Sequence, residues 1–184
     1  MELVRTEGAA HEPLVQFGAN SAIPHAMAGS TKLKRDDMVL FDLSANVNGY
    51  LSDLTRMTCF GDATPEMKEI YRIVYDAQRA AIEKIRAGVP CQEIDRAARK
   101  VITKAGYGQY FTHRTGHGLG MDIHETPYLV EGNAEPLPAG AVITVEPGIY
   151  LPGRFGVRIE EDVLVTETGP ELLSDRQPYL VEMP

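Results

Sequence analysis

The stretch Phe41-Asp42-Leu43-Ser44-Ala45-Asn46-Val47-Asn48-Gly49-Tyr50-Leu51-Ser52-Asp53-Leu54-Thr55-Arg56 decides how this chain is read. Apolar and polar residues alternate on both sides of Asn48-Gly49. A type I′ hairpin turn needs φ > 0 at both central residues, and this dipeptide tolerates that best. A two-residue loop there pairs Val47 with Tyr50, Asp42 with Thr55 and Ser44 with Asp53. Residues two apart share a face of a strand, so Asp42, Ser44, Asp53 and Thr55 fall on one side, and Val39, Phe41 and Leu43 on the other. Asp42 and Asp53 are then diagonal neighbours. Carboxylates converging over a sheet repel one another unless a cation lies between them, and a divalent ion with its preference for hard oxygen ligands suits that place. Two solvated surface aspartates are the plain alternative, so the pair needs partners.

Outward from the hairpin, Leu14–Phe17 reads as a short strand, followed by a Gly/Asn/Ser loop that delivers His25. Downstream, Thr64 is a natural N-cap, with Pro65 at the first helical position and Glu66 and Glu69 near the positive end of the dipole. Met67, Ile70, Val74, Ala77, Ala81 and Ile85 recur at steps of three and four, which predicts a helix over Pro65–Ala87 closed by Gly88. A second helix is expected over Gln92–Lys104, with Ile94, Ala97, Ala98, Val101 and Ile102 inward and Gly106 as its stop. Beyond Phe111 the chain is rich in Gly and Pro, with strands expected near His117, at Ala141–Val145 and at Val157–Val165. No linker divides it. The expectation is one α+β domain over residues 12–184 behind a polar lead of residues 1–11.

Composition narrows the function classes. A chain of 184 residues has room for one ordinary domain. A net charge of −8 opposes nucleic-acid binding, which needs a basic face. Two cysteines make no disulfide framework. No apolar run has membrane-spanning length, and MELVRTEGAA lacks the apolar centre of a signal peptide, so a cytoplasmic setting is expected.

Three of the five histidines, His113, His117 and His124, crowd into one short segment. His113 and His117 have the spacing of a helical zinc site. However, Gly116, Gly118 and Gly120 oppose a helix, and flanking glycines instead let the backbone approach a ligand or a neighbouring strand. Glu146 ends an apolar strand just before a turn. Arg158 and Glu160 share a face of the Val157–Val165 strand, where a glutamate is costly unless a cation or metal partners it. The plain readings are polar loop histidines and a Glu160 bonded to Arg158.

Together the segments FDLSANVNGYLSDLTR, HRTGHGLGMDIHETP, VEPGIY and GVRIEED resemble, in order and interval, the signatures of the pita-bread metallopeptidases, a superfamily that includes creatinase and methionine aminopeptidase. Only fourteen positions separate Glu146 from Glu160, which is similar to prolidase and Xaa-Pro aminopeptidase. The resemblance implies two divalent ions, manganese or cobalt first and zinc or iron as alternatives, held by Asp42, Asp53, His117, Glu146 and Glu160. Asp42 would bind one ion and His117 and Glu146 the other, with Asp53 and Glu160 bridging. It also implies hydrolysis of Xaa-Pro peptide bonds by a metal-bridging hydroxide, with Glu146 carrying the proton. His124 and His25 would stabilise the tetrahedral intermediate, His113 would shape the proline pocket, and Arg158 would orient Asp42 or a substrate carboxylate. A non-catalytic module of the same fold, binding a peptide or protein partner, is the alternative.

The chain departs from the family pattern at Ser44, where glycine is usual, and at Met57 and Cys59. Cys59 shares the aspartate face, a possible redox liability. The pita-bread fold is pseudo-twofold, and the first of its two helix pairs has no counterpart here. One sheet face should therefore show an apolar patch, and a homo-oligomer or a completing chain is the expected partner besides a proline-containing peptide.

Overall fold

The hairpin forms in the register that the turn dictates. In the computed structural model, which describes residues 6–184, β1 (Leu14–Phe17) pairs with β2 (Asp37–Val47), and β2 pairs along its whole length with β3 (Tyr50–Phe60). Asp42 faces Thr55 and Ser44 faces Asp53. Asn48 and Gly49 both have positive φ, 55° and 83°.

Two helices follow. The Thr64 hydroxyl accepts from the Met67 amide at 3.2 Å and caps α1 (Pro65–Ile82). Ile70, Val74, Ala77 and Ala81 are all buried, as their spacing requires. The helix ends five residues before the expected Ala87, and Gly88 does not close it. After Ile82 the amides of Lys84 and Ile85 reach only three residues back, and the chain then bonds to the strand-like segment around Leu137, Gly88 N–H to Leu137 O and Leu137 N–H to Val89 O. Those long-range bonds, with Pro90 ahead, replace a last helical turn while keeping Ile85 inside. The second helix, α2, spans Cys91–Lys104.

The rest of the chain is β4 (Gly116–Gly118), β5 (Glu125–Leu129), β6 (Val142–Val145), β7 (Gly148–Leu151), β8 (Phe155–Arg158), β9 (Glu161–Val165), β10 (Pro170–Leu172) and β11 (Val181–Met183). They give a four-stranded sheet β1-β2-β3-β11, a five-stranded sheet β10-β9-β6-β4-β5 and the ribbon β7-β8. The single strand expected over Val157–Val165 is two strands. The chain changes partner at Ile159-Glu160, from β7 on one side to β6 on the other, so Arg158 ends β8 and Glu160 lies in the break, yet both still line one cavity.

Both helices pack on the inner faces. Ile70, Val74, Ala77, Ile94, Ala98 and Ile102 join Met38, Leu40, Met57, Ile143, Val145 and Val163 in one buried cluster. Cys59 lies in it too, fully enclosed, and burial raises its thiol pKa, so it is not an accessible redox centre. The outer face of the hairpin sheet has no such cover: among the described residues no helix lies over it, and Val15, Leu43 and Val181 are 45%, 43% and 49% exposed on that side. Among the described residues no helix is long and apolar enough to cross a membrane.

Candidate metal centre

The inner face of the hairpin, the β4 segment and the two breaks after β6 and β8 meet at one cavity of about 800 Å³. Asp42, Asp53, His117, Glu146 and Glu160 line it, with His25, His113, His124 and Arg158, so all nine candidate site residues reach the same space. Asp42, Asp53, His117 and Glu160 are buried, and the Glu146 side chain is 16% exposed toward the void. His25 sits exposed at the rim.

His117 is placed by its neighbours. A Cβ added at Gly116 would lie 1.9 Å from Thr144 O, and one at Gly118 2.3 Å from Thr126 O, so only glycine lets this strand press between its partners. His117 Nδ1–H donates to Gly118 O at 2.9 Å. That bond fixes the tautomer and leaves the Nε2 lone pair facing Glu146 Oε1 at 3.5 Å and Asp53 Oδ2 at 3.8 Å. Burial pushes the His117 pKa down to about 4, which keeps the ring a neutral lone-pair donor. His124 stands edge-on to His117 with ring centroids 4.4 Å apart, and burial lowers its pKa as well.

The carboxylates are frustrated. Burial, then the charges of Asp42 and Glu146, push Asp53 up to about 8. Glu146 and Glu160 are raised well above the usual range, first by burial and then by Glu160 and Asp53 respectively. Asp42 Oδ1 is buried and accepts no hydrogen bond. Atoms of His11, Asp42 and Asp53 lie within 4.8 Å of one another, as do atoms of Asp53, His117 and Glu160, so Asp53 belongs to both groups. An oxygen-rich donor set with neutral imidazole and no thiolate fits hard or borderline divalent ions, which would remove the repulsion that the bare carboxylates suffer.

Arg158 is the counter-charge. It donates to Asp42 Oδ2 at 2.5 Å, Thr55 Oγ1 at 3.1 Å, Tyr150 Oη at 3.0 Å and Pro24 O at 3.3 Å. Thr55 in turn donates to Glu160 Oε2 at 2.8 Å. Glu160 is therefore not bonded to Arg158, contrary to the plain reading of GVRIEED; Thr55 stands between them. His113 Nδ1–H donates to Arg114 O at 2.7 Å, so its Nε2 accepts from Tyr150 Oη–H at 2.8 Å, and burial holds its pKa near 4.

Several supporting residues escaped the sequence reading. Gln78 of α1 is fully buried and donates to Val145 O at 3.1 Å and Ile159 O at 2.9 Å, the carbonyls directly before Glu146 and Glu160. Its place between Ala77 and Ala81 on the apolar stripe was the available signal. Asp95 of α2 accepts from the Thr115 amide and hydroxyl at 3.1 and 2.7 Å, and Arg99 joins Asp95 to the carbonyls of Phe111 and His113, so α2 anchors the histidine segment. Asp162 accepts from the Asp53 amide at 3.1 Å. Glu161, an apparent surface charge in sequence, is buried against Arg56 and Ser174. Tyr150 ends the VEPGIY segment, and His11 falls in the polar lead.

The profile of metallopeptidase family M24 matches residues 2–167. An uncharacterized peptidase of Staphylococcus haemolyticus is 52% identical over 163 residues, 89% of this chain and 46% of that protein. Among solved structures, a prolidase from Thermococcus sibiricus superposes with a TM-score of 0.94 at 44% identity, over 97% of this chain and 48% of its own. An X-Pro aminopeptidase from Thermotoga maritima gives 0.94 at 40% identity, over 97% and 51%. The chain thus spans about half the length of the relatives it matches.

Proposed function

This chain belongs to metallopeptidase family M24 and has the mixed α+β, pita-bread fold of the family's solved structures, and from that premise we propose that it hydrolyses Xaa-Pro peptide bonds with two divalent metal ions. The observation that carries the reading is Asp53. Its Oδ1 faces His11 at 3.6 Å, in the group that includes Asp42, while its Oδ2 faces His117 at 3.8 Å, as a carboxylate shared between two ions would. The similarity to a prolidase and to an X-Pro aminopeptidase supports the choice of bond.

Asp42, Asp53, His117, Glu146 and Glu160 would hold the ions, manganese or cobalt by the oxygen-rich set, with zinc or iron as alternatives. Bound there, such ions supply an acidified water and a Lewis acid for the scissile carbonyl. The chain's own groups do the rest. Glu146, whose Oε1 stands 3.5 Å from His117 Nε2 in the cavity, would take a proton from the attacking water and deliver it to the leaving amine. His124, kept neutral by burial, would donate to the substrate carbonyl as charge develops on its oxygen, with His25 at the rim as a second donor. His113, fixed by Tyr150, would wall the space for the proline ring. Arg158 has its donors committed to protein acceptors, which favours a role in orienting Asp42 over one in binding a substrate carboxylate.

The test is a manganese-supplemented assay of an Xaa-Pro dipeptide against a longer Xaa-Pro peptide, with metal content measured on the same sample. Two ions per chain with release of the residue before proline is the expected result. Two ions without cleavage would favour the peptide-binding module. Absence of bound ions would overturn the proposal.

A further inference from the structure

His11 lies among the carboxylates at the hairpin end of the cavity, outside the five ligands that the family pattern supplies. Its Nε2 is 3.4 Å from Asp42 Oδ1 and 3.6 Å from Asp53 Oδ1. Two ligand atoms bound to one ion at about 2.1 Å sit roughly 3.0–3.4 Å apart at octahedral to tetrahedral angles, so this triangle is close to ion-sized. The tautomer is right for a ligand. His11 Nδ1 lies 2.8 Å from Glu12 O, and a carbonyl only accepts, so Nδ1 carries the proton. In the neutral ring Nε2 then points a lone pair at two carboxylate oxygens, one of which, Asp42 Oδ1, is buried with no hydrogen bond. Three electron-rich atoms facing one another are stable only around a metal cation or a shared proton, and a metal ion fits the spacing.

The backbone that carries His11 is held by Ser44, whose Oγ accepts from the amides of Ala10 at 2.8 Å and His11 at 3.2 Å. Glu7 and Gly8 pair with Asn46 alongside, so the segment runs against the end of β2. A glycine at position 44 would leave those two amides without this acceptor.

We propose that His11, positioned by Ser44, is an additional ligand to the ion held by Asp42 and Asp53, giving that ion a nitrogen ligand that the five-residue set does not supply to it. The inference rests on the two-ion reading above. It is tested by titrating metal-free protein with Mn(II) alone, using calorimetry and the electron paramagnetic resonance signal of free Mn(II), on wild type, His11→Phe, Ser44→Gly and the double variant. His11 is partly exposed, so phenylalanine should fold there, and unfolding curves of the metal-free proteins check it.

The expected result is two ions on wild type, with one of them weakened about 10–100-fold in H11F and the other unchanged. Ser44→Gly should weaken the same ion by less, and should add nothing in the H11F background, because the serine acts only through the histidine. Both affinities within twofold of wild type in H11F would overturn the proposal while leaving the two-ion reading intact. So would tighter binding in H11F, since the ring would then be a competing cation. Wild type that binds no manganese would overturn both.

Discussion

Replacing Gln78 with methionine, which matches its length without its amide, tests whether α1 holds the two glutamates in place. The amide nitrogen donates to Val145 O and Ile159 O at 3.1 and 2.9 Å in a fully buried setting. Each buried acceptor that loses its donor costs about 1–3 kcal/mol. Against that, Gln78 Oε1 is itself buried without a partner, and deleting it returns a similar amount once. Two losses against one gain leave a net destabilisation of about 2 kcal/mol. For a chain of 184 residues that lowers the melting temperature by roughly 4–8 °C. The carbonyls directly precede Glu146 and Glu160, so loosening them should also weaken Mn(II) binding about tenfold, the scale of a lost support to a ligand. Thermal unfolding by circular dichroism and calorimetric Mn(II) titration read the two effects. A Q78M protein that melts within about a degree of wild type and binds manganese unchanged would refute the reasoning, because no other packing change accompanies the substitution.

Arg158→Met should destabilise the metal-free protein by about 3–5 kcal/mol, because Asp42 loses its buried counter-charge. Saturating manganese should recover part of that deficit, which melting with and without the metal will show. The metal-free protein should also lose stability as pH rises from about 6.5 to 8.5. Asp53 and Asp162, near 8 and 7 when folded and near 4 when unfolded, give stability that is complete below the unfolded values and is lost as pH climbs through the folded ones. The Asp53 share of that loss is on the order of 2 kcal/mol. His113 and His117, near 4 when folded, act in the opposite sense but only between about 4 and 6.5, where their stabilisation is lost as pH falls. Manganese should flatten the upper limb, and a flat or rising metal-free profile above pH 6.5 would count against the frustrated-carboxylate description. His124→Ala should lower turnover of an Xaa-Pro substrate by about 10²–10³ while leaving metal content near wild type. Equal loss of both would assign the ring to metal retention instead.

The hairpin could be read residue by residue because everything that sets it is local. Asn48-Gly49 fixes the turn, the turn fixes the register, and strand alternation then delivers Asp42 and Asp53 to one face. The glycines around His117 likewise announced a close backbone approach, and Gly116 against Thr144 O is that approach. The ends of elements were less legible. Val157–Val165 contains no breaker, so nothing within it announces the exchange of partners at Ile159-Glu160. The stop of α1 at Ile82 is decided by bonds that reach almost fifty positions along the chain, from Gly88 and Val89 to Leu137.

By itself the sequence determined the α+β class and the aspartate pair, because turn chemistry and strand period act over a few residues, while the full candidate ligand set came from resemblance to a family. Only the tertiary structure decided what holds those ligands and what joins them. Gln78 reaches across 67 positions to Val145, the Asp53 amide across 109 to Asp162, and His11 comes to Asp42 through a serine 33 positions on. A buried amide, a buried carboxylate and a histidine in a polar lead look like surface residues until folding takes water away from them. Their partners are chosen by desolvation, which no local pattern records.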